Sequence, residues 1–249
     1  MRVRPSGTSF STTPWRADAP PPCTEKGFSL ILERIPVGPF QMNSYVVGCT
    51  ETKEGAYIDP GAEVERVIEA ARGHGLNLTK IIGTHAHLDH AEGVAEAKEK
   101  LGIPYWLHEA ELFNLQNIPN AARGYGFPEP PVPEVDAYLV PGETISVGNL
   151  EFEIRLTDGH APGNVTLYRP GDGTEPGHAI VGDALFAGSI GRTDLYMGDG
   201  GVLLNAIRTQ LLTLPDDTVV HPGHGPETTI GHERATNPFC RPGAEQFLT

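Results

Sequence analysis

The sequence predicts an α+β fold in which two β-sheets pack face to face between layers of helices. Two strand-rich segments, starting at residues 28 and 144, are each followed by stretches with the apolar spacing of helices. A sheet must cover its apolar face, and two sheets packed together with helices outside satisfy both halves of the chain. Because no repeat and no change in composition interrupts the sequence after residue 27, we expect one domain over 28–249.

The first half is expected to alternate strands with helices. Branched and aromatic residues favour strands, and the spacing of Val64, Val67, Ile68 and Ala71 favours a helix. The proline- and glycine-rich segment 117–133 favours a long irregular loop. The predicted strands are 28–35, 43–47, 56–61, 78–82 and 104–107, and the predicted helices are 63–72, 88–101 and a stretch from 108 that ends before Pro119.

The second half is expected to be richer in strands. Its apolar and β-branched runs are short and are bounded by glycine, proline and aspartate, as in sheet proteins. The predicted strands are 144–147, 150–156, 165–168, 179–181 and 218–221, and the predicted helices are 201–212 and 228–235.

Residues 1–27 are predicted to be a flexible, proline-rich extension. Five prolines with serine and threonine between them are incompatible with a helix or an apolar signal core. Arg2, Arg4 and Arg16 give this segment some resemblance to an organellar transit peptide, but its prolines disfavour the amphipathic helix of such peptides.

Composition excludes several classes of function. The formal net charge of -14 disfavours a nucleic-acid surface, which needs clustered lysine and arginine. No apolar run reaches the roughly 18 residues that span a bilayer, so we expect no membrane partner. Three widely separated cysteines form neither a disulfide framework nor a zinc module, and we therefore expect a reducing, cytoplasmic location. The sequence does not predict an oligomeric state.

The segment Thr84–His90 concentrates metal-binding side chains. His85 and His87 alternate along an extended backbone and point to the same side, so both imidazoles can reach one cation. Asp89 and His90 follow where helical spacing begins, and they can face a second position nearby. Because a histidine-rich surface loop rarely has this spacing, the pattern predicts a metal site with room for two neighbouring cations.

Three further segments end predicted strands near glycine or proline and offer additional ligands. They contain His160, Asp183 and the pair His221 and His224. Loops at strand ends are where catalytic groups collect. A carboxylate such as Asp183 can bridge two cations, which a neutral imidazole cannot do. Either histidine of the last pair can face such a site.

These motifs resemble those of the metallo-β-lactamase superfamily and, within it, the compact glyoxalase II-like hydrolases. The matching motifs are HxHxDH from His85 to His90, Gly-His-Ala-Pro-Gly, Gly-Asp-Ala-Leu-Phe and Pro-Gly-His-Gly, in this order over residues 28–240. The resemblance implies a four-layer αββα sandwich of two mixed sheets with the site at the sheet edges. It also implies one metal held by His85, His87 and His160, a second held by Asp89, His90 and His224, and Asp183 between them.

The resemblance further implies hydrolysis of a small acyl thioester, such as S-lactoylglutathione, by hydroxide held between two divalent metals. Zinc is the expected metal, with iron or manganese as alternatives. Asp89 and Asp183 are the expected catalytic carboxylates. Asp183 would lie between the two metals, and Asp89 can also orient the nucleophile. Arg192 is expected to bind a substrate carboxylate or, alternatively, to form an ion pair with Asp194.

Other functions remain compatible with the sequence. Persulfide dioxygenases resemble it over the first motifs and in the run from Gly191 to Asp194, and they hold one iron by two histidines and an aspartate. Pro-Gly-His-Gly with Glu227 favours the hydrolases. Lactonase activity and a purely structural zinc site are further alternatives, although structural zinc is usually rich in thiolates.

Overall fold

A computed structural model describes residues 29–247 of the chain. The predicted N-terminal extension 1–27 lies outside the described residues. The strands are β1 (Leu30–Val37), β2 (Met42–Cys49), β3 (Glu54–Ile58), β4 (Asn77–Ile82), β5 (Tyr105–Leu107), β6 (Ala137–Tyr138), β7 (Thr144–Val147), β8 (Leu150–Leu156), β9 (Val165–Arg169), β10 (His178–Gly182), β11 (Leu185–Phe186), β12 (Ser189–Ile190), β13 (Val219–Pro222) and β14 (Thr228–Thr229).

The helices are short and mostly separate the strands of one sheet or follow them. They are α1 (Val64–Gly73), α2 (Leu88–Ala91), α3 (Val94–Leu101), α4 (Leu112–Tyr125), α5 (Gly200–Ala206) and α6 (Ile230–Thr236). A π-helical turn, Ile207–Leu211, extends α5. Single 3₁₀ turns occur at Glu109–Glu111, Pro238–Cys240 and Ala244–Phe247.

Two six-stranded sheets form the centre of the molecule. The first has the order β1-β2-β3-β4-β5-β6, and the second has the order β14-β13-β10-β9-β8-β7. Each sheet combines antiparallel pairs, such as β1 with β2 and β8 with β9, with at least one parallel pair, such as β3 with β4 and β10 with β13. Both sheets are therefore mixed, and β11 with β12 forms a separate hairpin.

Three apolar clusters divide the molecule into four layers. The middle cluster lies between the sheets and contains Tyr45 and Val47 of β2 together with Phe152 of β8. A second cluster joins the other face of the first sheet, including Val46, to α1, α3 and α4. The third joins the second sheet to α5 and α6. Neighbouring residues of β2 thus enter different clusters, and the predicted αββα sandwich is confirmed.

The structure differs from the prediction in segment 117–133, where α4 continues through Pro119 to its end. Proline has no N–H, so the carbonyl of Leu115 lacks its usual helical partner. Leu115 and Ile118 are nevertheless buried against the first sheet, and this packing outweighs the break. Gly126 ends the helix with a φ of 76°, and the irregular segment begins there.

The predicted helix 88–101 is two helices. The N–H of Gly93, which lies between α2 and α3, donates to the carbonyl of Pro60 at 2.9 Å. This contact holds α2 against the loop that follows β3, so the helix axis is interrupted. Within residues 29–247, every helix is too short or too polar to traverse a bilayer.

Candidate metal centre

The segments that carry the predicted ligands meet at one edge of the sandwich. The histidine motif follows β4 and enters α2, so that Asp89 and His90 lie in the first turn of this helix. His160 lies in the loop between β8 and β9, Asp183 follows β10 directly, and His224 follows β13. The first sheet therefore supplies four of the seven side chains, and the second sheet supplies three.

The donor atoms of these seven residues form three overlapping groups. Within each group, all donor atoms lie within 4.8 Å of one another. The groups are His85, His87 and His160; His85, His90 and Asp183; and Asp89, His90 and His224. Because the groups share members, the arrangement has room for neighbouring cations rather than isolated ones.

Asp183 lies between the two outer groups. Its Oδ1 atom is 3.4 Å from Nε2 of His90. Its Oδ2 atom is 3.6 Å from Nε2 of His160 and 3.6 Å from Nε2 of His224. The carboxylate thus lies close to candidate ligands of both outer groups, and this is the position that a bridging carboxylate requires.

Asp59, at the end of β3, organises the histidine motif although it is not one of the seven residues. The buried carboxylate accepts hydrogen bonds from the N–H of Thr84 at 2.6 Å and from its hydroxyl at 2.7 Å. It also accepts from Nδ1 of His90 at 3.0 Å. Because the hydroxyl of Thr84 uses its proton for the bond to Asp59, its oxygen accepts a hydrogen bond from Nδ1 of His85 at 3.2 Å. Both imidazoles therefore direct Nε2 towards the centre.

His160 is oriented in the same way by the backbone of Arg192. Its Nδ1 atom lies 2.8 Å from the carbonyl oxygen of Arg192. A carbonyl only accepts, so Nδ1 carries the proton and Nε2 faces the centre as a lone pair. The loop after β12 therefore fixes the tautomer of a histidine that comes from a different loop.

The arrangement of inner nitrogen and oxygen atoms fits a bound cation. Nε2 of His85 and Nε2 of His160 lie 3.3 Å apart with their lone pairs directed inwards, a repulsive contact that a cation between them would remove. Nε2 of His90 and Oδ1 of Asp183 are buried, and neither has a hydrogen-bond partner among the described residues. Imidazole and carboxylate ligands suit zinc, iron or manganese.

The electrostatics of the centre differ between its two sides. Burial lowers the pKa of His85 well below its usual value and that of His87 to about 3, which keeps both imidazoles neutral and able to bind metal. Burial also acts to lower the pKa of His90, but the carboxylates of Asp183 and Asp89 raise it well above the usual value. The side near His90 therefore favours positive charge, either as a proton or as a metal.

Glu111 connects two of the ligand-bearing loops. This buried carboxylate accepts from the N–H of Ala86 at 2.9 Å and from the N–H of Gly163 at 2.7 Å. It also accepts from Nδ2 of Asn114 at 3.0 Å. Ala86 separates His85 from His87, so Glu111 couples the position of the histidine motif to that of the loop that carries His160.

The loop that carries His224 approaches the centre closely because Gly223 lacks a side chain. A Cβ atom at Gly223 would overlap Oδ1 of Asp183 and would lie 2.6 Å from Cε1 of His90. The N–H of Asn43 donates to the carbonyl of Gly223 at 2.7 Å and fixes the loop against β2. Only glycine leaves room for both ligands here.

Other histidines make contacts outside the three groups. His108 caps a 3₁₀ turn by accepting a hydrogen bond from the N–H of Ala110 at 3.3 Å, and His74 ends α1. The alternative that His221 faces the centre is not seen. Its two ring nitrogens lie 2.9 Å from Nδ1 of His178 and 3.2 Å from Oε1 of Glu227.

A cleft of about 640 Å³ opens over the centre. Arg192 lines this cleft, but its guanidinium makes two hydrogen bonds of 2.7 Å to the carboxylate of Asp194. The ion pair that the sequence offered as one alternative is thus present. Asp59, Glu111 and the backbone of Arg192 were missed as orienting groups, and only the strand-end position of Asp59 signalled such a role.

Comparisons with known proteins agree with this fold. The metallo-β-lactamase superfamily profile matches residues 37–224. The chain is 38% identical to hydroxyacylglutathione hydrolase GloC of Haemophilus influenzae over 215 residues, which cover 84% of this chain and 97% of that protein.

Two crystal structures are similar over most of the chain. The structure of BLEG-1 B3 metallo-β-lactamase has a TM-score of 0.77 and 37% identity, with 84% of this chain and 99% of that chain covered. The structure of TTHA1623 in a di-iron-bound form has a TM-score of 0.73 and 40% identity, with 83% and 99% covered. The chain therefore belongs to the metallo-β-lactamase superfamily.

Proposed function

We propose that the protein is a binuclear metal-dependent hydrolase that cleaves an acyl thioester, S-lactoylglutathione or a related compound. The observation that carries the proposal is the overlap of three donor groups around Asp183. The similarity to a hydroxyacylglutathione hydrolase over nearly its whole length supports the choice of a thioester. A second similar protein is described as binding two iron ions, which supports a binuclear centre.

The proposed ligands divide between two cations. Asp183 would contact both, because its Oδ2 atom lies 3.6 Å from Nε2 of His160 in one group and 3.6 Å from Nε2 of His224 in the other. Zinc is the proposed metal, and iron and manganese are accepted by the same ligand types. One cation would be held by His85, His87 and His160, and the other by Asp89, His90 and His224.

The reaction replaces the carbon–sulfur bond of the thioester by a carbon–oxygen bond from water. When bound, two divalent cations supply Lewis acidity, which lowers the pKa of water and polarises the carbonyl group. Asp89, whose side chain is partly exposed at the centre, accepts a hydrogen bond from the attacking water and orients it. The thiolate leaves without needing strong protonation.

Metal content and thioester hydrolysis, measured on the same preparation, test this proposal. We expect about two metals per chain and turnover of S-lactoylglutathione. We expect Asp183→Ala and His87→Ala each to lower kcat/KM at least about a hundredfold, since loss of groups that merely orient ligands already costs 10–100-fold. His74→Ala, at the exposed end of α1, is the matched control.

Two results would contradict the proposal. Unchanged turnover in both ligand variants would show that the donor groups are not the reaction centre. One iron per chain with no hydrolysis, together with oxygen uptake on addition of glutathione persulfide, would identify the dioxygenase chemistry of the same superfamily instead.

A further inference from the structure

The outer lining of the cleft is mainly apolar. Helix α4 presents Asn114, Asn117, Ala121 and Tyr125 to it, at the three- and four-residue spacing of one helical face. The loop after β12 and the β11–β12 hairpin add Phe186, Ile190, Leu195 and Tyr196, and Phe40 comes from the turn between β1 and β2. The metal ligands form the floor.

Two aromatic pairs lie at the rim, and three of their four rings are exposed, whereas Phe40 is partly buried. Tyr196 stacks on Phe113 of α4, with ring centroids 4.0 Å apart. Phe40 meets Tyr125 edge to face at 5.2 Å. Tyr196 and Tyr125 are 50% and 57% exposed, although each ring already packs against another aromatic ring. Exposed apolar surface grouped at the mouth of a polar centre favours an apolar ligand.

The cleft also lacks an uncompensated cation beyond its floor. Among the described residues that line it, Arg192 is the only lysine or arginine. Its guanidinium is held in a two-pronged contact by Asp194. The hydrogen bonds from Arg192 lower the pKa of Asp194 to about 2, so the carboxylate stays charged at neutral pH and the pair is neutral as a unit. The net charge of -14 adds no attraction for an anionic substrate.

We propose that the cleft selects thioesters whose thiol or acyl portion is apolar and uncharged, and that Asp194 sets this selectivity by neutralising Arg192. Tyr196, which stacks on Phe113 outside the lining, belongs to the apolar contact surface of the cleft. The identity of the reaction rests on the proposed function, whereas the selectivity concerns binding and is measured without turnover.

A matched pair of thioethers, which the enzyme cannot cleave, tests the selectivity. S-benzyl-N-acetylcysteamine is neutral, whereas S-benzylglutathione carries two carboxylates and one ammonium beside the same benzyl group. We expect calorimetry on the metal-loaded protein to show tighter binding of the neutral compound. Asp194→Asn should shift the ratio of the two affinities towards S-benzylglutathione by about fivefold, the range of an exposed ion pair.

Glu65→Gln is the control for net charge. Glu65 belongs to an exposed ion pair with Arg72 and lies on α1, away from the cleft lining. Its replacement by glutamine removes one negative charge, as Asp194→Asn does. We expect it to leave the ratio of affinities unchanged. The shift in Asp194→Asn should also shrink in about 1 M salt, where charges are screened beyond roughly 3 Å.

Tyr196→Ala tests the apolar surface separately. We expect S-benzyl-N-acetylcysteamine to bind about three- to tenfold more weakly, while its S-methyl analogue changes little, because aromatic contacts contribute about 0.5–1.5 kcal/mol. Equal or tighter binding of S-benzylglutathione by the wild type, or equal effects of Asp194→Asn and Glu65→Gln, would overturn the selectivity. Correct selectivity without any thioester hydrolysis would overturn only the proposed reaction.

Discussion

At the scale of single residues, buried carboxylates outside the seven donors control where the donors point. Glu111 accepts three hydrogen bonds, two from backbone N–H groups of different loops and one from a side chain of α4, and none of the donors is cationic. Buried N–H groups are costly to leave unpaired, so its two carboxylate oxygens are needed to satisfy both loops at once. Its contribution to the centre is therefore positional.

We expect Glu111→Gln to destabilise the fold and weaken metal binding together. Glutamine turns one acceptor into a donor that faces the N–H of Ala86 or of Gly163, at a cost of about 1–3 kcal/mol in the free energy of unfolding. Metal affinity should fall about 10–100-fold, as for other groups that orient ligands. Urea denaturation and competition with a metal chelator measure the two effects.

The neighbouring Glu109→Gln provides the control, since Glu109 is exposed in the same 3₁₀ turn. Its unfolding free energy and metal affinity should match those of the wild type. Equal behaviour of the two variants would mean that Glu111 has no positional role.

The direct donors could be predicted from the sequence because their spacing is local and their side chains are chemically distinctive. Asp59 and Glu111 lie far along the sequence from the residues that they orient, and the residues around them form no distinctive motif. Their role depends on which loops the fold brings together, and no single segment contains that information. The same reasoning explains why the contact of His160 with the backbone of Arg192 was not predicted.

At the scale of elements, α4 combines a helix-breaking residue with a functional wall. Pro119 lies inside the helix, where proline usually costs about 3 kcal/mol relative to alanine. The helix persists because its opposite face is buried against the first sheet. Its exposed face supplies part of the cleft lining, so the break is tolerated within an element that positions ligand-contacting side chains.

We expect Pro119→Ala to stabilise the protein by about 1–3 kcal/mol, because it restores a hydrogen bond to the carbonyl of Leu115. Thermal unfolding should show this as a rise of roughly 2–4 °C per kcal/mol. Pro131→Ala, in the exposed irregular segment, should instead lower stability by about 0.4–1 kcal/mol, because alanine increases the conformational entropy of the unfolded chain. An unchanged or lower melting temperature for Pro119→Ala would contradict this account of α4.

Local sequence signals explain which elements were predicted. Long strands and α1 have strong periodicity, and their positions agree with the prediction. The continuation of α4 depends on tertiary packing that outweighs proline and glycine, and the hairpin strands β11 and β12 are two residues long and too short to carry a pattern.

At the scale of the whole molecule, the centre draws its ligands from both sheets. The apolar cluster between the sheets already joins them. At the edge, however, the loops bring imidazole lone pairs and carboxylates close together, and these electron-rich groups repel one another. Bound cations would turn this repulsive edge into a link between the two halves. Metal binding is therefore expected to contribute to global stability as well as to activity.

Removal of metal tests this link. Free metal at a hundred times its Kd stabilises a folded protein by about 2.7 kcal/mol, so extensive chelation should lower the melting temperature by roughly 5–10 °C. Readdition of zinc should restore it. His87→Ala should respond less to chelation than the wild type. A wild-type melting temperature that is insensitive to chelation would contradict the link.

The division of the ligands between the two halves also sets an order of events during synthesis of the chain. His85 leaves the ribosome long before His224, and at about 5–20 residues per second the interval is on the order of ten seconds. At the start of this interval the nascent chain offers only the ligands of one motif, and the carboxylate of Asp183 emerges later. We therefore expect stable metal binding only after the second half has been made and has folded against the first.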